Sequence, residues 1–244
     1  MGHRVYMKLV SGAAVALLTT AGIAAPGDGP DLNVSATVDG RISSDTLAGT
    51  SIGGNNYSYS STMLGDDYFV EWQMIVNHDA GSGVDKGYES MNGLITVANT
   101  GSKTMSFIID TNINVALAGN PVLYGGSLSG SLTGGVEGAI LSQFGDDPLW
   151  SAILNDDAYQ SFYSDFEFTT MPFETTEIPP AAFGEPIPDL PGPDTFMMGS
   201  LLAFELNAGS TVSFGSTFVA QIPGPGSLVI LSLGLAGARR RRRN

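Results

Sequence analysis

Two stretches of this chain alternate apolar and polar residues with a period of two, a pattern that suits a strand with one face in a core and little else. In Tyr68 to Asn77, Val70, Trp72, Met74 and Val76 fall on one side and Phe69, Glu71, Gln73 and Ile75 on the other. In Thr211 to Ala220, Val212, Phe214 and Phe218 oppose Thr211, Ser213 and Thr217. Leu94 to Ala98 and Thr104 to Ile109 are further strand candidates, flanking Asn99 to Lys103, a loop rich in turn residues. That spacing predicts a hairpin, with Gly101 available for a positive φ. Leu201 to Leu206 and Thr211 to Ala220 flank Asn207 to Ser210 in the same manner, while Asp31 to Ile42 and Ser161 to Thr169 give weaker strand signals. With 32 glycines among many short strands, the expected fold is all-β, a single antiparallel β-sandwich or jelly-roll-like domain.

One short helix is expected beside the strands. Asp147-Pro148 offers an N-cap before a proline, and Leu149, Trp150, Ile153 and Leu154 would form about two turns that plug one end of the sandwich. Gly125 to Gly138 keeps Leu128, Leu132 and Val136 at even spacing and reads as a glycine-rich strand with a turn. Pro172 to Pro193 carries seven of the 13 prolines. Because proline cannot donate to a ladder, this segment is expected to run over the surface.

The two ends of the chain differ in kind from its middle. Met1 to Lys8 is short and basic, Leu9 to Ala21 is small and apolar, and Gly22-Ile23-Ala24 offers the small residues that a signal peptidase reads. Residues 1–24 are therefore expected to be a secretory signal peptide cleaved after Ala24. Residues 25–221 form the body. Residues 222–244 divide into a Pro/Gly hinge at 222–227, an apolar run at 228–238 and a basic stop at Arg239, Arg240, Arg241, Arg242 and Arg243. The apolar run would span about 16 Å as a helix, short of the ~30 Å hydrocarbon core. It suits transient insertion for processing better than lasting anchorage.

Taking the signal peptide and tail away changes the charge. The whole chain has 10 basic and 24 acidic residues, net −14. Two basic residues belong to the leader and five to the tail, leaving Arg41, Lys86 and Lys103 against all 24 acidic residues, a body at −21. Such a body excludes nucleic acid as a partner. It favours solubility or divalent cations. No cysteine is present, so an exported body has no disulfide frame and no thiolate metal site.

Few catalytic constellations survive inspection. His78 is the one histidine of the body; it sits in Asn77-His78-Asp79-Ala80-Gly81, a turn-like context, and is expected to be incidental. No nucleophile elbow, zinc ligand set or phosphate-binding glycine motif occurs. Paired carboxylates remain a formal route to glycoside hydrolysis, with Glu71 opposite Glu205 or Glu167. Asp66-Asp67, Asp146-Asp147 and Asp156-Asp157 are acidic pairs in turn contexts and are candidate Ca²⁺ ligands. Tyr57, Tyr59, Tyr68, Trp72 and Trp150 could stack on sugar rings, although core positions are expected for both tryptophans.

The tail carries a resemblance. Ile222-Pro223-Gly224-Pro225-Gly226-Ser227, the run Leu228 to Ala238 and the arginines 239–243 together resemble a PEP-CTERM sorting signal. Pro223 and Pro225 match the motif prolines, and Gly224 stands where that family has glutamate. A glycine-based tail read by a rhomboid-type protease is the alternative. The resemblance implies export, cleavage by signal peptidase, transient insertion in the inner membrane, and removal of the tail by an exosortase-type membrane protease. It further implies residence at the cell surface or in an extracellular matrix with polysaccharide nearby. The expected function is that of a non-enzymatic exported protein. The alternatives are a carbohydrate- or calcium-binding module and, behind it, a carboxylate-based glycosidase.

Overall fold

The structure is a computed structural model and describes residues 29–79, 87–115, 122–187 and 196–222. Ala24 and the tail residues Pro223, Gly224, Pro225 and Arg239 to Arg243 lie outside these. Among the described residues no helix is long and apolar enough to cross a membrane.

Fifteen strands are described: β1 (Leu32–Val38), β2 (Arg41–Leu47), β3 (Thr50–Gly53), β4 (Asn56–Leu64), β5 (Tyr68–Asp79), β6 (Gly87–Asn99), β7 (Met105–Val115), β8 (Val122–Thr133), β9 (Ala139–Ser142), β10 (Trp150–Leu154), β11 (Asp157–Phe162), β12 (Glu167–Thr170), β13 (Thr175–Ile187), β14 (Phe196–Leu206) and β15 (Thr211–Ile222). They form two antiparallel sheets. The eight-stranded sheet runs β11-β10-β14-β7-β1-β2, with β9 also on β14 and β12 on β9. The seven-stranded sheet runs β13-β8-β15-β6-β5-β4-β3. The fold is all-β and sandwich-like, and one apolar core draws on both sheets.

Alternation builds that core as the sequence predicts. Val70, Trp72, Met74 and Val76 of β5 and Val212, Phe214 and Phe218 of β15 are all buried. From the other sheet Phe107, Ile109, Leu202 and Phe204 meet them, with the Phe107 and Phe204 rings 5.5 Å apart and nearly parallel. The glycine-rich segment is β8, with Leu128 and Leu132 buried and Val136 exposed at the tip of the following turn. Its glycines make room: a Cβ on Gly126 would lie 2.8 Å from Cη2 of Trp150.

Four local expectations give way. The proposed helix at 149–154 is strand β10, whose backbone is paired on both sides by β11 and β14. A two-turn helix pays the full cost of nucleation and would leave this edge of β14 unpaired, so tertiary pairing wins. The proline-rich stretch is partly an edge strand, β13, and its Pro179-Pro180 pair falls where the register with β8 shifts between Ile178 and Ala181. A bulge on an edge is the one place in a sheet where missing donors cost little. Asp31 to Ile42 is not one strand but the start of a hairpin, turned by Asp39 (φ 47) and Gly40 (φ 79).

The fourth concerns both expected hairpins, because neither is one. β6 pairs with β5 and β15 while β7 pairs with β1 and β14, so the loop 100–104 crosses from one sheet to the other. The loop 207–210 between β14 and β15 crosses likewise. Gly101 is absent from the positive-φ residues. It is needed for close approach instead, since a Cβ there would come 2.9 Å from Cβ of Asp67. The two corners stack. The buried Asn99 side chain donates to Lys103 O (2.7 Å) and Leu206 O (2.8 Å) and accepts from the Gly101 amide (3.0 Å), while its own amide donates to Ser210 O (3.0 Å).

Candidate functional site

The residues singled out by sequence scatter over the fold. Asp66 and Asp67 turn β4 into β5, and Asp67 O accepts from the Thr100 amide at 2.7 Å. Asp146 and Asp147 occupy the turn after β9, closed by Asp147 N donating to Phe144 O at 3.2 Å. Asp156 (φ 68) follows Asn155 (φ 50) in the β10–β11 hairpin, and Asp157 begins β11. The three pairs thus serve three separate turns. Among the described residues no group of three or more His, Asp or Glu side chains is placed to hold a metal ion.

The acids considered for glycoside hydrolysis do not face one another across a cleft. Glu71 lies opposite the buried phase of β5, on the outer face of the seven-stranded sheet. Glu205 and Glu167 lie on the outer face of the other sheet, each the register partner of Ser142. Of the aromatic residues, Tyr59, Trp72 and Trp150 are buried. Tyr57 and Tyr68 pack against the core, Tyr68 edge-on to Phe107. They form no platform for a sugar.

A cluster that the sequence reading passed over sits at one pole of the body. His78 is not in a turn. It belongs to β5, in phase with Val76 and Met74, and its backbone amide donates to Asn55 O at 2.9 Å. Opposite it on β6 is Glu89, which is fully buried. His78 Nδ1 lies 2.7 Å from Glu89 Oε1, and the histidine side chain is 28% exposed. The ring N–H is not well aligned with Oε1, and neither atom makes a hydrogen bond of good geometry. Two lone-pair atoms do not approach so closely without a proton between them, and the contact is an ion pair whenever the imidazole carries both of its protons. Among the described residues Glu89 Oε2 has no hydrogen-bond partner.

Burial pushes the Glu89 carboxyl up, opposed by His78 and reinforced by Asp79. The contact with Glu89 raises the His78 imidazole against a smaller opposing effect of burial. Both groups therefore bind protons more tightly folded than unfolded. The stability they supply is complete at acid pH, below the unfolded values, and is lost as pH rises through the folded ones. Sequence held one clue to Glu89: it shares the phase of Met91, Ile95 and Val97, which puts a carboxylate on the core face.

A second feature is a shallow polar groove of about 490 Å³ across β2, β1 and β7. Its floor is a chain of side-chain hydrogen bonds on the outer face of the eight-stranded sheet. Thr46 Oγ1 donates to Asn33 Oδ1 (3.0 Å), Asn33 Nδ2 to Asn112 Oδ1 (3.1 Å) and Asn112 Nδ2 to Asp110 Oδ2 (3.0 Å). Ser35, Ser44 and Asp45 complete it. Burial raises the Asp110 carboxyl, Asn112 opposes, and the nearby Asp156 adds to the rise. Comparison of the chain with family models, with curated proteins and with solved structures finds no match.

Proposed function

We propose that the chain is an exported, non-enzymatic cell-surface or matrix protein whose single-domain body is delivered by a removable C-terminal sorting tail. The observation that carries this reading is where the body begins and ends. Leu32 opens β1 opposite Ile113 near the end of β7, and Ile222 closes β15 opposite Gly87 at the start of β6. The loop joining β6 to β7 lies at the other pole, so the leader and the tail attach at the same pole. The opposite pole stands about 40 Å away, the length of a twelve-residue strand. A body held briefly by its tail would stand upright on the membrane, and cutting both ends at one pole would free it.

Mass spectrometry of the protein from its native host tests this. The mature form is expected to begin at Ala25 and to end between Pro223 and Ser227. Surface-released protein that still carries Arg239 to Arg243 would overturn the reading.

The polar groove favours a second reading, recognition of a glycan. Amides and hydroxyls on a rigid sheet suit sugar hydroxyls, and Asp45 and Asp110 would repel a uronate, so the ligand is a neutral polysaccharide. Replacing Asn112 with alanine breaks the hydrogen-bond chain at its middle and is expected to weaken binding on a glycan array about tenfold. Silence of the native protein on every neutral glycan removes this reading and leaves the first intact.

A further inference from the structure

We propose that the His78–Glu89 pair is a latch at the root of the sorting tail. Closed, it holds the last residues of β15 in the sheet; open, it lets them peel away and lengthens the free segment before the hinge. The inference rests on the sorting reading only for the meaning of the tail.

Glu89 is the register partner of His78 on β5 and of Ala220 on β15, so three adjacent strands meet at one buried carboxylate. Beyond Ala220, Gln221 is paired with Tyr88 on one side and Leu123 of β8 on the other, and Ile222, the first residue of the expected hinge, with Gly87. Among the described residues the groups facing the pair are acidic or neutral. Asp79 lies beside it on β5, Tyr59 of β4 feels the Glu89 charge, and Asp31 lies near Tyr59. From β15 the neighbour is Ala220. Among the described residues the only other cations, Arg41 and Lys103, line a groove at the far pole. Among the described residues, the proton on the pair is what compensates Glu89.

Removing that proton leaves a buried carboxylate with no counter-charge, a costly state that water can relieve. Water reaches it by separation of β6 from β15 at this pole. Opening is thus favoured by alkaline surroundings and closure by mildly acid ones.

Amide hydrogen exchange on the full chain, tail included, tests the latch. Between about pH 5.5 and pH 9, a range bracketing the ordinary imidazole value, protection factors corrected for intrinsic exchange are compared at the two poles. Those of Tyr88 to Asn92 and Phe218 to Ile222 are expected to fall at least tenfold. Those of Ile95 to Asn99 and Val212 to Phe214 are expected to change by less than about threefold. Glu89→Gln should abolish the difference between the poles, and His78→Gln should do the same if the first variant does not fold. Parallel loss at both poles, or a polar difference that survives in a folded variant, overturns the proposal. The exchange readout needs no cleavage, so an intact tail in host-derived protein sinks the sorting reading alone.

Discussion

Replacing Trp150 with alanine is expected to cost about 3–5 kcal/mol of folding stability. The indole is wholly buried and stacks on Phe162, with ring centroids 4.9 Å apart and planes 16° from parallel. Phe218 meets it edge-on and Phe183 at a tilt, and Nε1 donates to Ser216 Oγ at 2.9 Å. Gly126, against which the indole packs, has no side chain to move into the space it leaves. A dry cavity and an unpaired Ser216 hydroxyl would remain. Trp150→Phe should retain most of the packing and lose about 1–2 kcal/mol, chiefly the hydrogen bond and the second ring. Urea unfolding monitored by far-ultraviolet circular dichroism gives both numbers. An alanine variant within about 1 kcal/mol of the native protein would show that this part of the core can collapse around the loss.

Asn99→Ala is the second large effect, expected at about 2–4 kcal/mol from the loss of three hydrogen bonds, one buried and two partly buried, at a sheet-crossing corner. The methyl group cannot reach Lys103 O or Leu206 O, and the Gly101 amide loses its acceptor. Asn99→Asp should be no better, since a carboxylate would face two carbonyl oxygens that previously accepted from an amide. The same measurement decides the matter. Near-neutral substitution would mean that the two corners are held together by their backbone contact alone.

Asn99 also marks the boundary of what local sequence expresses. Alternation placed Val70, Trp72, Met74 and Val76 of β5 and Val212, Phe214 and Phe218 of β15 correctly, because a period of two depends only on which face is buried. It did not extend to the buried Ala220 and Ile222, the latter read as the start of the hinge. The loops Asn99 to Lys103 and Asn207 to Ser210 have the composition of hairpin turns, yet each carries the chain to the opposite sheet. Turn residues say that the direction reverses. Which sheet receives the next strand is decided by partners far along the chain, Ser106 with Glu205 or Thr96 with Ser213. Trp150 misled for a related reason, since Leu149, Trp150, Ile153 and Leu154 fit a helical stripe until β14 and β11 supply extended partners. The proline-rich stretch misled because an edge tolerates what a central strand does not.

The polar cluster was harder still. Glu89 follows Gly87-Tyr88, well before the apolar run from Leu94 that signals the strand, so its phase shows only when the strand is extended back through Met91. His78 sits beside Asp79-Ala80-Gly81, which reads as a turn although β5 continues through Asp79. The groove was invisible for a different reason. Asn33, Thr46, Asp110 and Asn112 come from three strands, and each alone is an ordinary outward-facing polar residue.

The strand order also governs when this body can fold. β14 and β15, the last two strands to be synthesised, lie in the interior of both sheets. Until residue 222 has emerged, β7 has no β14 to separate it from β10, and β6 and β8 have nothing between them. The hairpins β1–β2, β3–β4, β4–β5 and β5–β6 pair locally, but the contacts of β14 and β15 that complete the two sheets are distant in sequence. Topologies of that kind condense slowly, in about milliseconds to seconds. Completion of both sheets therefore waits on β14 and β15, the last of the described strands in chain order.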